Sequence, residues 1–417
     1  MKRYERYKDS GGQWIGEIPE HWEVKKIKYI FSERSEKGHP NEPVLCATQK
    51  HGVIPQNMYE NRVVVVNKGL DGLKFVKEGD FVISLRSFQG GIEYAHYQGI
   101  ISAAYTILTP SVDVNSQYIK YLFKSHQFIE LLKTCVTGIR EGQNINYDIL
   151  RKNSIMLPPL PEQYAIVHYL KDKTLKIDQY VAAREREREL LESLKQSEIA
   201  NVVTKGLNPN APMKDSGIPW IGMIPEHWEV KKIRTCFKER REKVSDKDYE
   251  ALSVSKIGVT PQLDSAVKTD NGDNRKKVCK GDFVVNSRSD RKGSCGFSEY
   301  DGSVSLINIV LTPFNVFGRY YHYLFRSNDY IEEFYRQGRG IVADLWTTRY
   351  SEMKNIYIPV PPLSEQQAIV AYINEKLSKI DRCLADLQTE IDYLKEFKQR
   401  LISDAVTGQI CITNEIK

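Results

Sequence analysis

The sequence of 417 residues lacks any run of eighteen apolar residues and has no apolar stretch behind its basic first residues. It therefore predicts neither a membrane-spanning helix nor a secretory signal. Its seven cysteines form no C-x-x-C pair and no cluster with histidines at zinc-site spacing, and their odd number argues against a disulfide framework. We expect a cytoplasmic protein with no metal site of its own.

Catalytic signatures are missing as well. The sequence contains no G-x-x-x-x-G-K-[ST] phosphate loop, no G-x-G-x-x-G fingerprint, no H-E-x-x-H motif and no N-P-P-[YF] tetrapeptide of the amino-methyltransferase kind. A large excess of one charge is also absent, because 60 Lys and Arg against 54 Asp and Glu leave a formal +6. That balance permits a polyanionic partner without requiring one. We expect no catalytic residue and no bound cofactor in this chain.

An internal repeat organises the sequence. Residues 8–34 return as 214–240 with 20 of 27 positions identical, and 157–178 return as 360–381 with 13 of 22 identical. Between these anchors, shorter pairs keep the same order: GVIPQ and GVTPQ, GDFVISLRS and GDFVVNSRS, YLFKS and YLFRS. A repeat that holds its order throughout predicts one fold present twice.

The two halves differ between their matched anchors. The segments NMYENRVVVVNKGLDGLKFVKE and LDSAVKTDNGDNRKKVCK have little in common. A duplicated frame with dissimilar inserts predicts two sites that bind in the same manner but recognise different things.

Each half is predicted to be an α/β or α+β domain of about 150 residues, followed by a long helix. Runs such as RVVVV, DFVISL and AAYTILTP predict strands, whereas NSQYIKYLFKSHQFIELLKT and GRYYHYLFRSNDYIEEFYRQ have helical spacing. Proline is tolerated in a first helical turn, so the Pro-rich segments before each Glu-Gln mark the helix starts. The predicted boundaries are 1–157 and 207–360 for the domains, and 158–206 and 361–417 for the helical segments.

The long helices carry the pattern of a coiled-coil seam. In the second helix, apolar residues recur in steps of four and three, at Ile380, Leu384, Leu387, Ile391, Leu394, Phe397 and Leu401. The first helix has Ile177, Val181, Leu191 and Leu194 in equivalent places, but Arg184 and Arg188 interrupt it. Because an unpaired buried charge is costly, we expect acidic partners if the helices pack together. The candidates are Asp386, Glu390 and Asp392.

Two globular segments, each ended by a P-P-L-x-E-Q-x-x-I-V helix start, resemble the specificity subunits of Type I restriction-modification systems. The WIGxIPEHWEV opening of each half also looks like a common start of their domains, and the resemblance covers nearly the whole chain. The motif residues are Pro158, Pro159, Leu160, Glu162, Gln163, Ile166 and Val167, and Pro361, Pro362, Leu363, Glu365, Gln366, Ile369 and Val370.

The resemblance implies a function and an architecture. The globular segments would be target recognition domains, each reading one part of a split, asymmetric site in double-stranded DNA. The two helices would form an antiparallel coiled coil with a pseudo-twofold arrangement that docks two modification (M) subunits, and restriction (R) subunits would complete the complex. The family's S-adenosylmethionine, ATP and magnesium would then belong to the partner subunits.

Four kinds of position are candidates for DNA contact, because each carries polar or basic side chains. One follows the GDFV strand and leads into a turn, where Arg can bond guanine and Gln can bond adenine. Two others, suited to phosphate contact, precede the GVxPQ turn or form the cluster RKK, and the fourth lies in the Gly-rich polar segments TGIREGQNIN and GRGIVADLW. The alternative at each is a solvated turn, an ion pair or a strand cap. The candidates are Arg86, Ser87, Gln89, Arg288, Arg291 and Lys292; Lys50, His51, Lys256, Arg275, Lys276 and Lys277; and Arg140, Gln143, Asn144 and Arg339.

Two other functions stay open at this point. One is a catalytic DNA methyltransferase or nuclease fused to its own recognition region, which the repeats disfavour because they account for nearly every residue. The other is a coiled-coil scaffold, which the divergent inserts disfavour. We favour a non-catalytic DNA-specificity module that directs a separate methyltransferase and a separate ATP-driven endonuclease.

Overall fold

The computed structural model of the chain describes residues 2–12, 14–59, 69–83, 91–137, 144–262, 272–340 and 346–412. The chain divides into two compact units. Unit 1 comprises Met1–Glu185 and Thr389–Lys417, and unit 2 comprises Arg186–Gln388. None of the helices described has the length and apolar character needed to cross a bilayer.

Unit 1 consists mainly of short strands with three short helices and parts of two long ones. Its strands are β1 (Tyr7–Asp9), β2 (Glu17–Pro19), β3 (Glu23–Lys26), β4 (Phe31–Arg34), β5 (Leu45–Thr48), β6 (Gly52–Pro55), β7 (Lys74–Val76), β8 (Phe81–Ile83), β9 (Ile92–Tyr94), β10 (Gly99–Ile101), β11 (Thr106–Pro110), β12 (Val136–Thr137), β13 (Asn144–Ile145) and β14 (Ser154–Leu157). Its helices are α1 (Ser116–Phe123), α2 (His126–Thr134), α3 (Tyr147–Leu150) and the first part of α4 (Leu160–Lys205).

The central sheet of unit 1 is antiparallel, with the strand order β4-β11-β8-β9. Successive side chains of a strand point to opposite faces. Accordingly, Phe81 and Ile83 lie in the main core, whereas Val82 between them lies in a smaller core. The main core also contains Trp22 and residues of the chain's last described segment, including Val406. The two cores cover the two faces of the sheet, so the sheet is a packed frame for the loops that connect its strands.

Unit 2 repeats this plan. Its strands are β15 (Met213–Asp215), β16 (Met223–Pro225), β17 (Glu229–Lys232), β18 (Phe237–Glu239), β19 (Lys243–Val244), β20 (Leu252–Ser255), β21 (Gly258–Pro261), β22 (Arg275–Val278), β23 (Phe283–Asn286), β24 (Cys295–Phe297), β25 (Gly302–Val304), β26 (Asn308–Pro313) and β27 (Tyr357–Val360). Its short helices are α5 (Gly318–Leu324), α6 (Asn328–Arg336) and α7 (Tyr350–Met353), and the second long helix is α8 (Leu363–Val406). The central sheet has the order β18-β26-β23-β24, with Phe283 and Val285 in the main core and Val284 in the smaller one.

A buried aspartate explains why the GDF sequence recurs. In unit 1, Asp80 accepts hydrogen bonds from Arg34 Nε at 3.0 Å and from Thr109 Oγ1 at 2.8 Å. In unit 2, Asp282 accepts the equivalent bonds from Arg240 Nε at 2.7 Å and from Thr312 Oγ1 at 2.8 Å. A buried carboxylate needs such partners, so each aspartate ties three strands of its sheet together.

The Glu-Gln pair at the start of each long helix joins that helix to its domain. Gln163 accepts a hydrogen bond from Asn115 N at 2.9 Å and donates one to the Pro158 carbonyl at 2.9 Å. In unit 2, the buried Gln366 makes the same two bonds, to Phe317 N and the Pro361 carbonyl, both at 2.8 Å. The motif that predicts the helix start is therefore also the attachment of each helix to its globular segment.

The preceding glutamates hold the WIGxIPEHWEV segment. In unit 1, Glu162 contacts His21 Nε2 at 2.8 Å and accepts a hydrogen bond from the Tyr4 hydroxyl. In unit 2, Glu365 contacts His227 Nε2 at 2.8 Å and accepts one from Trp228 Nε1 at 3.0 Å. In each unit, a polar contact thus joins the two most similar segments of the repeat, the WIGxIPEHWEV segment and the start of the long helix.

Helices α4 and α8 run antiparallel to each other where they meet within each unit. In unit 1, Asp178 pairs with Lys398 at 2.6 Å and Glu185 with Lys395 at 2.8 Å. In unit 2, Lys195 pairs with Asp381, and Glu198 of α4 accepts a hydrogen bond from the Tyr372 hydroxyl of α8 at 2.6 Å. In each unit, residue numbers rise along α4 while those of the partners on α8 fall. The predicted antiparallel helix pair is therefore confirmed.

Two predicted seam positions are wrong. Leu194 is 52% exposed and Phe397 is 49% exposed. Steps of four and three alternate along both helices, so a step of four is due after Leu191 and after Leu394 and leads past these two apolar side chains. Lysines occupy the resulting seam positions and make the ion pairs just described.

The two arginines that interrupt the seam have partners. Arg184 Nε lies 3.2 Å from a carboxylate oxygen of Glu390, one of the predicted acidic partners. Arg188 donates instead to the Gln388 side-chain oxygen at 2.5 Å and lies 4.0 Å from Glu192 of its own helix. Both arginines are partly exposed, which lowers the cost of placing charge in the seam.

Candidate nucleic-acid interface

Five of the sequence candidates fall outside the described residues: Arg86, Ser87, Gln89, Arg140 and Gln143. In unit 1 the described candidates are Lys50 and His51, at the tip of the β5–β6 hairpin, and Asn144 on β13, all three of them exposed. In unit 2 the structure describes every candidate.

Two chain segments of unit 2 come together around Thr347. Its backbone N–H donates to the Arg339 carbonyl at 3.1 Å, and Thr347 also forms a bridge with Arg288. On either side, Thr348 N donates to Ser287 O at 3.0 Å and Ser289 N donates to Trp346 O at 2.9 Å. These bonds place the loop after β23 against the segment before α7, so Arg288 and Arg339, 51 positions apart in sequence, lie on one surface.

Ion pairs hold the charged side chains of this loop. Arg288 Nε lies 2.9 Å from Asp290 Oδ1, and Arg291 Nε lies 3.8 Å from Asp290 Oδ2. Lys292 Nζ contacts Glu332 at 2.5 Å. All three basic side chains remain exposed, and exposed ion pairs are weak, so the cations can exchange these carboxylates for phosphates or base edges.

Arg349 belongs to the same surface, and the sequence analysis missed it. It lines a hollow of about 500 Å³ together with Arg288, Lys276 and Tyr350. The sequence did contain a signal for Arg349. TTRY in the second half aligns with NINY in the first, so the polar pair of segments continues past GRGIVADLW, where the predicted candidates end.

The β20–β21 hairpin packs against strand β24 and the end of α5. Arg326 donates a hydrogen bond to the Lys256 carbonyl, and the preceding Phe325 carbonyl accepts one from Cys295 Sγ of β24 at 3.6 Å. Gly296 approaches Gly258 so closely that a Cβ there would lie 2.9 Å from the Gly258 Cα. Lys256 therefore lies near β24, the strand that follows the loop after β23.

In the basic cluster Arg275, Lys276 and Lys277, the structure corrects the expectation for Arg275, because strand β22 packs this side chain into the domain. Arg275 is only 5% exposed and donates to Ser303 Oγ at 2.9 Å and to Ser303 O at 3.0 Å. This burial lowers the pKa of its guanidinium. Lys276 donates to the Asn308 carbonyl at 2.8 Å and Lys277 to Glu242 at 2.9 Å. We therefore assign Arg275 to the support of the sheet and Lys276 to the wall of the hollow, and Lys277 stays a candidate.

A second hollow of unit 2 has mixed charge. This cleft of about 870 Å³ is lined by aromatic residues, by the carboxylates of Asp329, Glu332 and Glu333, and by Lys292 and Arg336. Because Lys292 pairs with Glu332 and Arg336 with Glu333, the cleft does not present a run of one charge. In the part of the chain that the structure describes, no group of three or more His, Cys, Asp or Glu residues is placed to hold a metal ion.

Comparison with known proteins agrees on one family. The model of the Type I restriction modification DNA specificity domain matches residues 19–180 and 225–395. Two Type I restriction enzyme specificity subunits of Methanocaldococcus jannaschii, MjaVIII and MjaIX, are 22% and 21% identical to the chain, and each alignment covers 95% of both proteins.

Solved structures show the same fold. A chain from a study of complex assembly and conformational transition in the type I R-M system superposes with a TM-score of 0.68 at 14% identity, over 94% of this chain and 99% of that one. The HsdS subunit from Thermoanaerobacter tengcongensis superposes with a TM-score of 0.52 at 16% identity, over 94% and 98%.

Proposed function

The chain belongs to the Type I restriction modification DNA specificity family and is a non-catalytic specificity subunit. On this basis we propose that each of its two units binds one part of a bipartite, asymmetric double-stranded DNA site. The observation that carries the proposal is the convergence of Arg288, Arg339 and Arg349 on one surface of unit 2. Arginine and lysine in and beside loops are the side chains that bond guanine edges and phosphates.

The asymmetry of the site follows from how the two units differ. Their buried anchors are the same, since Asp80 and Asp282 make equivalent bonds. Their surface residues are not, because the β5–β6 tip carries Lys50 and His51 whereas the β20–β21 tip carries Lys256 and Ile257. Matched frames with unmatched surfaces favour two half-sites that are bound alike and differ in sequence.

The interface we propose comprises, in unit 2, Lys256, Arg288, Arg291, Lys292, Arg339 and Arg349, with Lys276 at its wall. In unit 1 it comprises Lys50, His51 and Asn144, together with Arg86, Ser87, Gln89, Arg140 and Gln143, which lie outside the described residues. Arg275 is left out because its hydrogen bonds lie inside the domain, whereas Lys277, whose ion pair with Glu242 is exposed, stays a candidate.

Two modification subunits are proposed as partners of the long helices. Leu190 and Leu194 of α4 are 56% and 52% exposed, and Tyr393 and Phe397 of α8 are 67% and 49% exposed. The second pair follows the first by 203 positions, the same spacing that relates the helix starts of the two halves. Apolar pairs at i and i+4 on an otherwise polar helix suit docking of another protein, and two equivalent pairs suit two copies of it.

The chemistry belongs to partners in this proposal. S-adenosylmethionine would be bound by the modification subunits, and ATP and magnesium would be used by restriction subunits that join the complex. The complex would act in the cytoplasm, because its substrate is cellular DNA. The division into domains at 1–157, 158–206, 207–360 and 361–417 is proposed with it.

The test is to co-express the chain with its modification subunits and to map methylated adenines across the host genome. A split motif with two different halves is the expected result, and a continuous motif would contradict the two-unit assignment. Arg288→Ala should weaken methylation or relax one base pair of one half-site. Arg234→Ala, which removes an exposed arginine from another part of unit 2, serves as the matched control and should leave the motif unchanged.

A further inference from the structure

The tip of the β20–β21 hairpin exposes an apolar side chain beside basic ones. Ile257 is 79% exposed, more than any other large apolar side chain in the described part of the chain. Isolated apolar residues are common on protein surfaces, so exposure alone assigns no role. The position of Ile257 in the proposed interface is what distinguishes it.

The hairpin tip is held in place by contacts from its own strands and from its neighbours. Ile257 N donates to Ser255 Oγ at 3.3 Å, and the Arg326 guanidinium donates to the carbonyl of Lys256. Gly258 has a φ of +120° and packs against Gly296 of β24. The side chain of Ile257 is thus presented to solvent by a fixed backbone, and a fixed contact surface loses little entropy on binding.

The equivalent tip in unit 1 differs at one chemically important position. Lys50 and Gly52 match Lys256 and Gly258, but His51 stands where unit 2 has Ile257. A phosphate is the same in every half-site, whereas the bases differ. The matched lysines therefore suit phosphate contact, and the unmatched residues beside them suit contact with different bases.

We infer that Ile257 recognises the 5-methyl group of a thymine in the half-site bound by unit 2. The inference rests on the proposed function. An isoleucine side chain has no hydrogen-bonding group, and the thymine methyl is the apolar group that a base pair presents in the major groove. Lys256 and Arg326 flank the tip with positive charge, which favours a nucleic acid over an apolar protein or lipid surface as the occupant.

The experiment uses the complex of the chain with its modification subunits and duplexes of the mapped site in which each thymine in turn is replaced by uracil. Uracil lacks only the methyl group. We expect one replacement to weaken binding by the wild type roughly fourfold or more, the effect of losing one buried methyl contact. Ile257→Ala should weaken binding of the parent duplex by a similar factor and show no further loss with that uracil.

Met223→Ala is the matched control, because it truncates an exposed apolar side chain elsewhere in unit 2 and should keep the full uracil effect. The inference would be overturned if Ile257→Ala bound the parent duplex as tightly as the wild type. It would also be overturned if uracil still weakened binding by that variant in full, or if the mapped half-sites contained no thymine. Ile257→Thr, which keeps the branched shape, provides a second variant if the alanine variant unfolds. Loss of all sequence preference in the wild type would instead contradict the proposed function.

Discussion

Cys411 donates its backbone N–H to the carbonyl oxygen of Lys2 at 2.9 Å. The two ends of the described chain therefore meet within unit 1. In unit 2 the corresponding place is a continuous connection, because α4 ends at Lys205 and β15 begins at Met213. In unit 1 the end of the second long helix is thus joined to the start of the domain by a hydrogen bond, whereas in unit 2 the end of α4 is joined to the start of the domain by the polypeptide chain.

Circular permutation should therefore preserve the fold. The permuted chain joins Ile412 to Lys2 by a short Gly-Ser linker and is opened in the exposed segment Asn208–Asn210. Its free energy of unfolding should lie within about 1 kcal/mol of the wild-type value, because no buried contact is lost. Thermal unfolding monitored by circular dichroism measures this. The control is the same linker with the opening at Leu170, which is buried in α4 and should lose most of the stability.

Replacing the buried glutamine of either helix start should destabilise the corresponding unit. Gln163→Ala and Gln366→Ala each remove two hydrogen bonds and leave a buried N–H and a buried carbonyl without partners, which should cost roughly 2–4 kcal/mol. Denaturant unfolding would report the loss, with Gln179→Ala on the exposed face of α4 as the control. A cost below about 0.5 kcal/mol would mean that the attachment depends on the apolar contacts instead.

Removing the seam arginines should stabilise the helix pair. Arg184→Leu with Arg188→Leu exchanges partly exposed polar contacts for apolar packing near Leu387 and Ile391. Such contacts contribute at most about 1 kcal/mol each, whereas an added buried leucine contributes roughly 1.5–3 kcal/mol, so we expect a net gain of about 1–3 kcal/mol. The free energy of unfolding in urea tests this, and a decrease would show that the arginine contacts hold the helices in register.

Unit 2 should lose stability in mild acid through His322. Burial, with Arg326 and Arg319 nearby, lowers the pKa of His322 to about 4, and its Nδ1 accepts a hydrogen bond from Phe297 N at 3.2 Å. Since the unfolded chain binds the proton more readily, this contribution to stability should fall as the pH drops from about 6.5 toward 4, by up to about 3 kcal/mol.

The variant His322→Asn supplies an acceptor that does not titrate, so its stability should depend less on pH across this range. His168→Asn, on the exposed face of α4, is the control and should retain the wild-type profile. Identical pH profiles for the wild type and His322→Asn would exclude His322 as the source.

The duplicated frame and both helix starts could be predicted because they depend on features that are local in sequence. The P-P-L-x-E-Q motif marks the start of α4 and of α8, and apolar spacing predicts that they pack together. Leu194 and Phe397 are predicted to lie in the seam because they are apolar, whereas the alternating steps of four and three place Lys195 and Lys398 there, so apolar character alone misassigns both positions.

The candidate site was harder to predict, because charge in a sequence does not reveal burial. Arg275 has the sequence context of a surface cation, but Ser303 on a strand 28 positions away accepts its hydrogen bonds inside the domain. Conversely, Arg339 and Arg288 meet only because Thr347 bridges the two segments. Such pairings are long-range tertiary contacts, and no local pattern encodes them.

The buried aspartates Asp80 and Asp282 bear on how such a protein can evolve. Each lies immediately before the strand that leads to a candidate recognition segment, LRSFQGG or SRSDRKGS, and each satisfies its charge with partners inside its own sheet. A mutation in that segment therefore leaves the network that stabilises the sheet intact. The two recognition surfaces can diversify independently of each other, and a new sequence preference in one half need not be compensated by changes in the frame.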